Sequence, residues 1–113
     1  MKTTLGIKKM PITLTVMYPN IEGSKFDLEY YLSTHMDLVA KRMGSGILSA
    51  RVVKGIGTPN PNTPAPYQIM AIIEFENMDI LHKSMTEHAE EIIGDIANFT
   101  DVEAVIQISE NLG

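Results

Sequence analysis

The hydrophobic pattern of the chain changes between two periods. Some segments alternate apolar and polar side chains with the period of two of a β-strand, and others have an apolar stripe with the 3.6-residue period of an α-helix. The second and third predicted strands along the chain have apolar side chains at odd and at even positions, which is typical of strands that are buried on both faces. The predicted strands are residues 11–18, 47–54, 67–75 and 102–109.

Two segments between the strands have the apolar stripe of an amphipathic helix, residues 26–43 and residues 78–94. Ser24 is followed three residues later by Asp27, which matches a capping box, so we expect the first helix to begin just after Ser24. Asn77 is a residue type that caps helices, and it predicts the start of the second helix.

The elements follow the order strand, helix, strand, strand, helix, strand. This is the split βαβ order of a ferredoxin-like plait, so we expect an α+β fold with a four-stranded antiparallel sheet and both helices on one face. The other face would expose the apolar side chains of the two middle strands, which a soluble monomer tolerates poorly. We therefore predict a homodimer whose sheets pack face to face, a dimeric α+β barrel.

Composition limits the number of domains and the classes of partner. A chain of 113 residues fits one domain, which we place at residues 11–113, after a basic leader at residues 1–10 that we expect to be disordered. The net charge of −5 argues against a nucleic-acid partner, and no apolar run reaches the roughly 20 residues of a membrane span. The absence of cysteine excludes disulfides and thiolate chemistry, and we expect a cytoplasmic location.

His35 is the best candidate for chemistry. It lies one helical turn after Tyr31, among the inward-facing positions of the first predicted helix, where a poorly solvated imidazole favours its neutral form and can accept a proton. The alternative is a core histidine whose ring bonds to a backbone carbonyl. The helical neighbours of His35 include no carboxylate and no second histidine, so we predict no metal site.

Two tyrosines and one set of three ionisable residues are the other candidates for a functional site. Tyr18 and Tyr31 could each offer a hydroxyl to a ligand, the alternative being a ring in the core with its oxygen at the rim. His88, Glu91 and Asp95 could orient an imidazole or hold a hard cation, but surface ion pairs are the better explanation of their spacing. No glycine-rich loop precedes a helix, and we expect no cofactor.

Two blocks of residues, read together, resemble a known family. The matching residues are Tyr18-Pro19, Phe26-Asp27, Tyr30-Tyr31-Leu32, His35-Met36, Leu38, Asp95-Ile96 and Asn98-Phe99-Thr100-Asp101. They resemble the EthD-domain family, named for a component of ethyl tert-butyl ether degradation, over about residues 10–108. The resemblance implies a dimeric α+β barrel and carries the family's helix histidine over to His35. One departure is Asp37, where relatives commonly have proline.

The resemblance implies an enzyme of small-molecule catabolism or of polyketide-type metabolism. Oxidoreductase chemistry, as in the cofactor-independent oxygenases of the dimeric α+β barrel superfamily, and isomerase chemistry both fit a proton transfer on a small apolar cyclic substrate. A partner oxygenase is a candidate protein partner. The alternative is a non-catalytic protein, either an accessory subunit or a dimer that binds a hydrophobic metabolite. The candidate site residues are His35 and Tyr31 for catalysis and Tyr18, Leu32, Val39 and Phe99 for substrate contacts.

Overall fold

Four strands form a single antiparallel sheet in the computed structural model, which describes residues 11–113. The strands are β1 (Ile12–Pro19), β2 (Ile47–Lys54), β3 (Tyr67–Phe75) and β4 (Val105–Glu110). Their order across the sheet is β2-β3-β1-β4, and each neighbouring pair is antiparallel. The bounds of β2 and β3 match the prediction, and β4 begins three residues later than predicted. The predicted leader lies outside the described residues.

Two helices pack on one face of this sheet. The first, α1 (residues 28–43), has three parts, and the second, α2, is Met78–Gly94. The parts of α1 are an α-helical turn (Leu28–Tyr30), a π-helix (Tyr31–His35) and an α-helix (Met36–Met43), and short 3-10 helices follow at Gly44–Gly46 and Asp95–Asn98. This element order confirms the ferredoxin-like α+β plait. Within the described part of the chain, no helix is both long enough and apolar enough to cross a membrane.

The helix caps agree with the sequence at one helix and differ at the other. The Asn77 side chain accepts a hydrogen bond from the amide of Ile80 at 2.9 Å, which confirms the predicted cap of α2. At α1 the predicted start is wrong, because Asp27 is the N-cap and accepts from the amide of Tyr30 at 3.0 Å. Ser24 lies ahead of the helix, and its hydroxyl accepts instead from the side-chain amide of Gln68.

The main hydrophobic core lies between the helices and the sheet. Leu14 of β1 lies opposite Ile73 of β3, and Val16 lies opposite Ala71. Leu81 of α2 is completely buried in the same cluster. The alternation that predicted β1 therefore directs one set of its side chains toward the helices. The buried cluster consists of Leu14, Val39, Met43, Ala71, Ile73, Phe75 and Leu81.

The opposite face of the sheet, here called the open face, carries neither helix. Its centre is apolar, since Met17 of β1 lies beside Met70 of β3 and Val105 of β4, and Ile72 and Val53 continue the patch. The polar residues on this face include Thr13, Thr15, Ser49, Arg51, Glu74, Gln107 and Ser109. The side chains of β2 and β3 are therefore apolar on both faces of the sheet over only part of the length of these strands.

An aromatic cluster closes one end of the core, where the start of α1 meets the segment after α2. Tyr18, Phe26, Tyr31 and Phe99 all contact one another edge to face, with ring centroids 5.1 to 5.7 Å apart. The amide of Asp27 donates to the carbonyl of Phe99 at 2.7 Å. These contacts fix the first helix against residues that follow it by about seventy positions, and they bring the two family blocks together.

Candidate active site

The π-helical part of α1 carries the two side chains from which the site is built. At its end the amide of Met36 donates to the carbonyl of Tyr31, five residues back rather than the four of an α-helix. Tyr31 and His35 both point into the protein and are buried. Their rings are nearly parallel, with centroids 5.5 Å apart. Single π-helical turns are frequent at functional sites, which directs attention to this pair.

A carboxylate from the far end of the chain orients the ring of His35. The Nδ1 atom of His35 lies 2.9 Å from Oδ2 of Asp95, the first residue of the 3-10 helix after α2. The other oxygen of Asp95 accepts from the Tyr30 hydroxyl at 2.7 Å and from the Asn98 amide at 2.9 Å. Because an ionised carboxylate only accepts hydrogen bonds, the proton of the neutral imidazole is on Nδ1. The Nε2 atom is then free to act as an acceptor.

The hydrogen bonds to Asp95 determine its charge. Desolvation by burial acts to raise the pKa of Asp95, but the hydrogen bonds from His35, Asn98 and Tyr30 together outweigh it, and the pKa lies below its ordinary value. Asp95 is therefore ionised at neutral pH. A carboxylate in this position fixes the tautomer of His35 and stabilises the imidazolium that forms when Nε2 takes a proton.

A cavity of about 50 Å³ lies between the helices and the sheet, with His35 in its wall. Apolar side chains from both helices and from β1, β3 and β4 form most of the lining. Three of the lining residues carry a polar group, His35, Tyr31 and Tyr18, and all three are buried. Small-molecule sites are usually apolar cavities with a few polar groups, and this cavity has that lining but is smaller than most of them.

The hydroxyl of Tyr31 is the one buried side-chain polar atom in the described part of the chain that has no hydrogen-bond partner. Burial raises the pKa of Tyr31 to about 12, so the hydroxyl keeps its proton at neutral pH and can donate it. Burial, followed by the nearby Tyr31 and Asp95, also raises the pKa of Tyr18. A buried hydroxyl without a partner costs about 1–3 kcal/mol, and a ligand with an acceptor atom in the cavity would remove that cost.

The family of the chain follows from comparison with known proteins. The family model for the EthD domain matches residues 23–103, which is well over half of the chain. The chain belongs to the EthD family. The blocks around His35 and Asp95, which carried the resemblance in the sequence, both lie within the matched region, and the structure joins them through the hydrogen bond between these two residues.

Solved structures agree with this assignment. An EthD-like protein from Ralstonia eutropha has 36% identity and a TM-score of 0.83, with 90% of this chain and 92% of that chain covered. An ethyl tert-butyl ether degradation (EthD) family protein from Bacillus halodurans has 18% identity and a TM-score of 0.66, covering 91% and 100%. A dimeric protein of unknown function from Bacteroides fragilis, with a ferredoxin-like fold, has 17% identity and a TM-score of 0.53, covering 88% and 95%. The last two show the fold alone. No curated protein matches the sequence.

The structure of this EthD-domain protein brings four of the six predicted site residues to the cavity. These four are Tyr18, Tyr31, His35 and Val39. Phe99 lies outside the lining and packs on His35, with ring centroids 4.7 Å apart. Leu32 is 52% exposed and does not reach the cavity. The buried stripe of α1 repeats every four residues from Tyr31, and Leu32 is about 100° further round the helix.

Asp95 was not predicted as the partner of His35. Helical spacing places side chains only against their neighbours on the same helix, and Asp95 lies 60 residues away from His35 in sequence. The available signal was its place in the second family block. The alternative grouping of Asp95 with His88 and Glu91 does not form. Glu91 forms an ion pair with Arg42, with 2.9 Å between Oε1 and Nε, and Asp95 is hydrogen-bonded to His35. Over residues 11–113, no cluster of three or more His, Asp or Glu side chains could hold a metal ion.

Removing the Tyr31 hydroxyl should leave the protein as stable as before or more so. In Tyr31→Phe the ring still fills its place while the unpaired polar atom is lost, so we expect the free energy of unfolding in urea to be unchanged or about 1 kcal/mol higher. Tyr30→Phe is the matched control, and it should lower the free energy of unfolding because the Tyr30 hydroxyl donates to Asp95. A clear loss of stability in Tyr31→Phe would mean that the hydroxyl has a structural partner.

The lowered pKa of Asp95 predicts a pH-dependent contribution to stability. Since the pKa in the folded state lies below the ordinary value, folding favours the carboxylate; its contribution is present above the ordinary pKa and is lost as the pH falls through the folded-state pKa. The difference in free energy of unfolding between the wild type and Asp95→Asn should therefore be larger at neutral pH than at acid pH below the ordinary carboxyl pKa.

Asp37→Asn is the control for this loss of one negative charge, because the Asp37 carboxylate is well exposed and pairs with Lys41 on the surface. Its effect on unfolding should be small at both pH values. If Asp95→Asn changed stability equally at neutral and acid pH, the hydrogen bonds to Asp95 would not favour its ionised form.

Proposed function

We propose that this EthD-domain protein is an enzyme that transfers a proton on a small apolar substrate, cyclic or aromatic, with His35 as the general base. The observation that carries the proposal is the pairing of His35 with an ionised Asp95 at the wall of an apolar cavity. A positioned base needs a fixed tautomer and a free nitrogen, and this arrangement supplies both. Membership of the EthD family supports a role in small-molecule catabolism.

The proton-transfer step uses groups of this chain. The Nε2 atom of His35 takes the proton from an acidic C–H or a phenolic O–H of the substrate, and the electron pair of the broken bond moves onto the conjugated substrate. The resulting imidazolium is stabilised by the carboxylate of Asp95. The Tyr31 hydroxyl donates a hydrogen bond to the substrate oxygen on which negative charge develops.

Two outcomes follow from the same carbanion or enolate. In an isomerase, His35 returns the proton at another carbon. In a cofactor-independent oxygenase, dioxygen reacts with the carbanion directly. Both reactions begin with the same base, so the proposal rests on the proton transfer and not on the final product. The cytoplasmic location and a partner oxygenase stay predictions.

Replacing His35 should abolish proton transfer while leaving the fold intact. A panel of cyclic and aromatic ketones and lactones is incubated with the protein in D₂O, and loss of the acidic C–H signal is followed by proton NMR. Turnover falls about 10²- to 10⁴-fold when a positioned base is lost, so His35→Gln and His35→Ala should lower the exchange rate by that amount. Asp95→Asn should lower it at least about tenfold, since an unoriented imidazole is a poorer base.

His82→Gln is the matched control, because His82 lies exposed on α2. Exchange at the wild-type rate in a folded His35→Gln protein would remove His35 from the mechanism. Binding of the panel to the wild type without exchange or turnover would favour the non-catalytic alternative, a protein that only binds a hydrophobic metabolite.

We also propose that the protein forms a homodimer through the open face. The apolar patch around Met17, Met70 and Ile72 has no helix to cover it, and the structurally similar protein from Bacteroides fragilis is described as dimeric. Packing two open faces together would bury the patch on both copies. The cavity of the candidate site is on the other side of the sheet and is lined within one chain.

A charge at the centre of the open face should weaken the dimer. In Met17→Asp a carboxylate with only Met70 and Val105 opposite it would be buried between the sheets without a partner, so we expect a shift from dimer to monomer at micromolar concentration in light scattering. Ile56→Asp is the control, because Ile56 is 96% exposed in a loop and the same change should leave the mass unaltered. A wild-type protein that has the mass of a monomer would contradict the proposal.

A further inference from the structure

Some of the residues that line the cavity are also exposed to solvent. Among the described residues that line it, only two are largely exposed, Ile93 at 46% and Ile106 at 40%. Ile93 is in the last turn of α2, and Ile106 is on β4, an edge strand that pairs only with β1. We therefore place the mouth of the cavity between β4 and the end of α2.

The wall of the cavity is polar only where it is buried. Tyr18, Tyr31 and His35 are at most 4% exposed, whereas the two residues at the mouth are apolar. A molecule that passes the mouth meets an apolar passage first and hydrogen-bonding groups afterwards. This order favours a ligand that carries its polar atom at its leading end.

We propose that small ligands pass between Ile93 and Ile106, and that these two side chains set the size of the molecule that is admitted. The proposal rests on the cavity being the substrate site of the proposed function, but not on the chemistry of His35. Ile93 and Ile106 thereby become specificity-determining residues that touch the ligand on its way in.

The small volume of the cavity explains why the side chains at its mouth determine which ligands enter. At about 50 Å³ the cavity is smaller than the roughly 300–1,000 Å³ of ordinary ligand sites, so a ring compound must displace side chains as it binds. Met36, Met43 and Met85 line the cavity, and methionine side chains change rotamer readily. The isoleucines at the mouth are branched at Cβ and much stiffer. The interior therefore adapts to a ligand, and the mouth limits its passage.

The lining also defines the charge of the ligand. It contains no lysine, arginine, aspartate or glutamate side chain. A buried carboxylate or ammonium group would find no opposite charge there, and burying an unpaired ion is very unfavourable. A neutral ring compound with one acceptor oxygen fits, because the Tyr31 hydroxyl can donate to that oxygen.

The experiment measures the rates at which a probe of this class exchanges with the full chain. The probe is 4′-fluoroacetophenone, a neutral aromatic ketone, and its association and dissociation rates follow from ¹⁹F NMR exchange. We expect Ile106→Trp and Ile93→Trp to slow both rates together, about tenfold or more, with a much smaller change in Kd. Ile106→Ala should speed both rates. A residue that obstructs passage acts on both directions, whereas a wall residue such as Val39 acts mainly on dissociation.

Ile108→Trp is the matched control. Ile108 is on the same face of β4, two residues after Ile106, and is 45% exposed, but it does not line the cavity. Its exchange rates should stay within about twofold of the wild type, a change too small to indicate a barrier. Thermal unfolding verifies that each tryptophan variant is folded, and the two variants on different elements test the mouth independently.

Wild-type exchange rates in both folded tryptophan variants would overturn the proposal, as would a wild-type protein that fails to bind the probe at millimolar concentration. The proposed function fails separately. If His35→Gln keeps wild-type proton transfer while the tryptophan variants slow probe exchange, the base is wrong and the mouth stands. If His35→Gln loses proton transfer while the tryptophan variants exchange the probe normally, the base stands and the mouth lies elsewhere.

Discussion

The hydrogen bond between His35 and Asp95 is the interaction on which the site depends. It joins residues 60 positions apart, one in the first helix and one just after the second, so it forms only when both helices have packed on the same face of the sheet. The aromatic cluster around Phe99 brings the two segments together, and Tyr30 and Asn98 hold the carboxylate in place. The whole fold, and not the local helix, therefore sets the tautomer of the imidazole.

The architecture could be predicted because each element shows its buried face in the sequence. A period of two or of 3.6 is a local property, and the order of the elements leaves few topologies to choose from. The predicted start of α1 is wrong because two residues three positions apart, Ser24 and Asp27, are both of a type that caps helices. Asp27 caps it, while Ser24 bonds to Gln68, which lies 44 positions further along the chain. Local sequence could not distinguish these uses.

The candidate site was predictable to the extent that it follows helical spacing. Tyr31, His35 and Val39 repeat every four residues, and all three line the cavity. The π-helical turn has no sequence rule that would reveal it, and the choice of Asp95 as the partner of His35 is a long-range contact with no local pattern. The two family blocks contained both halves of the pair, but only the fold shows that they meet.

The Tyr31 hydroxyl separates what the fold needs from what the site needs. In the aromatic cluster Phe26 and Phe99 make the same edge-to-face contacts without a polar atom, so a phenylalanine ring at position 31 would serve the packing equally well. The hydroxyl instead adds a buried donor that nothing in residues 11–113 satisfies. An unpaired donor on a residue that lines the cavity beside an oriented imidazole agrees with the proposed ligand site. Under the proposed function, the cost of the unpaired hydroxyl is offset when an acceptor oxygen of the ligand binds beside it.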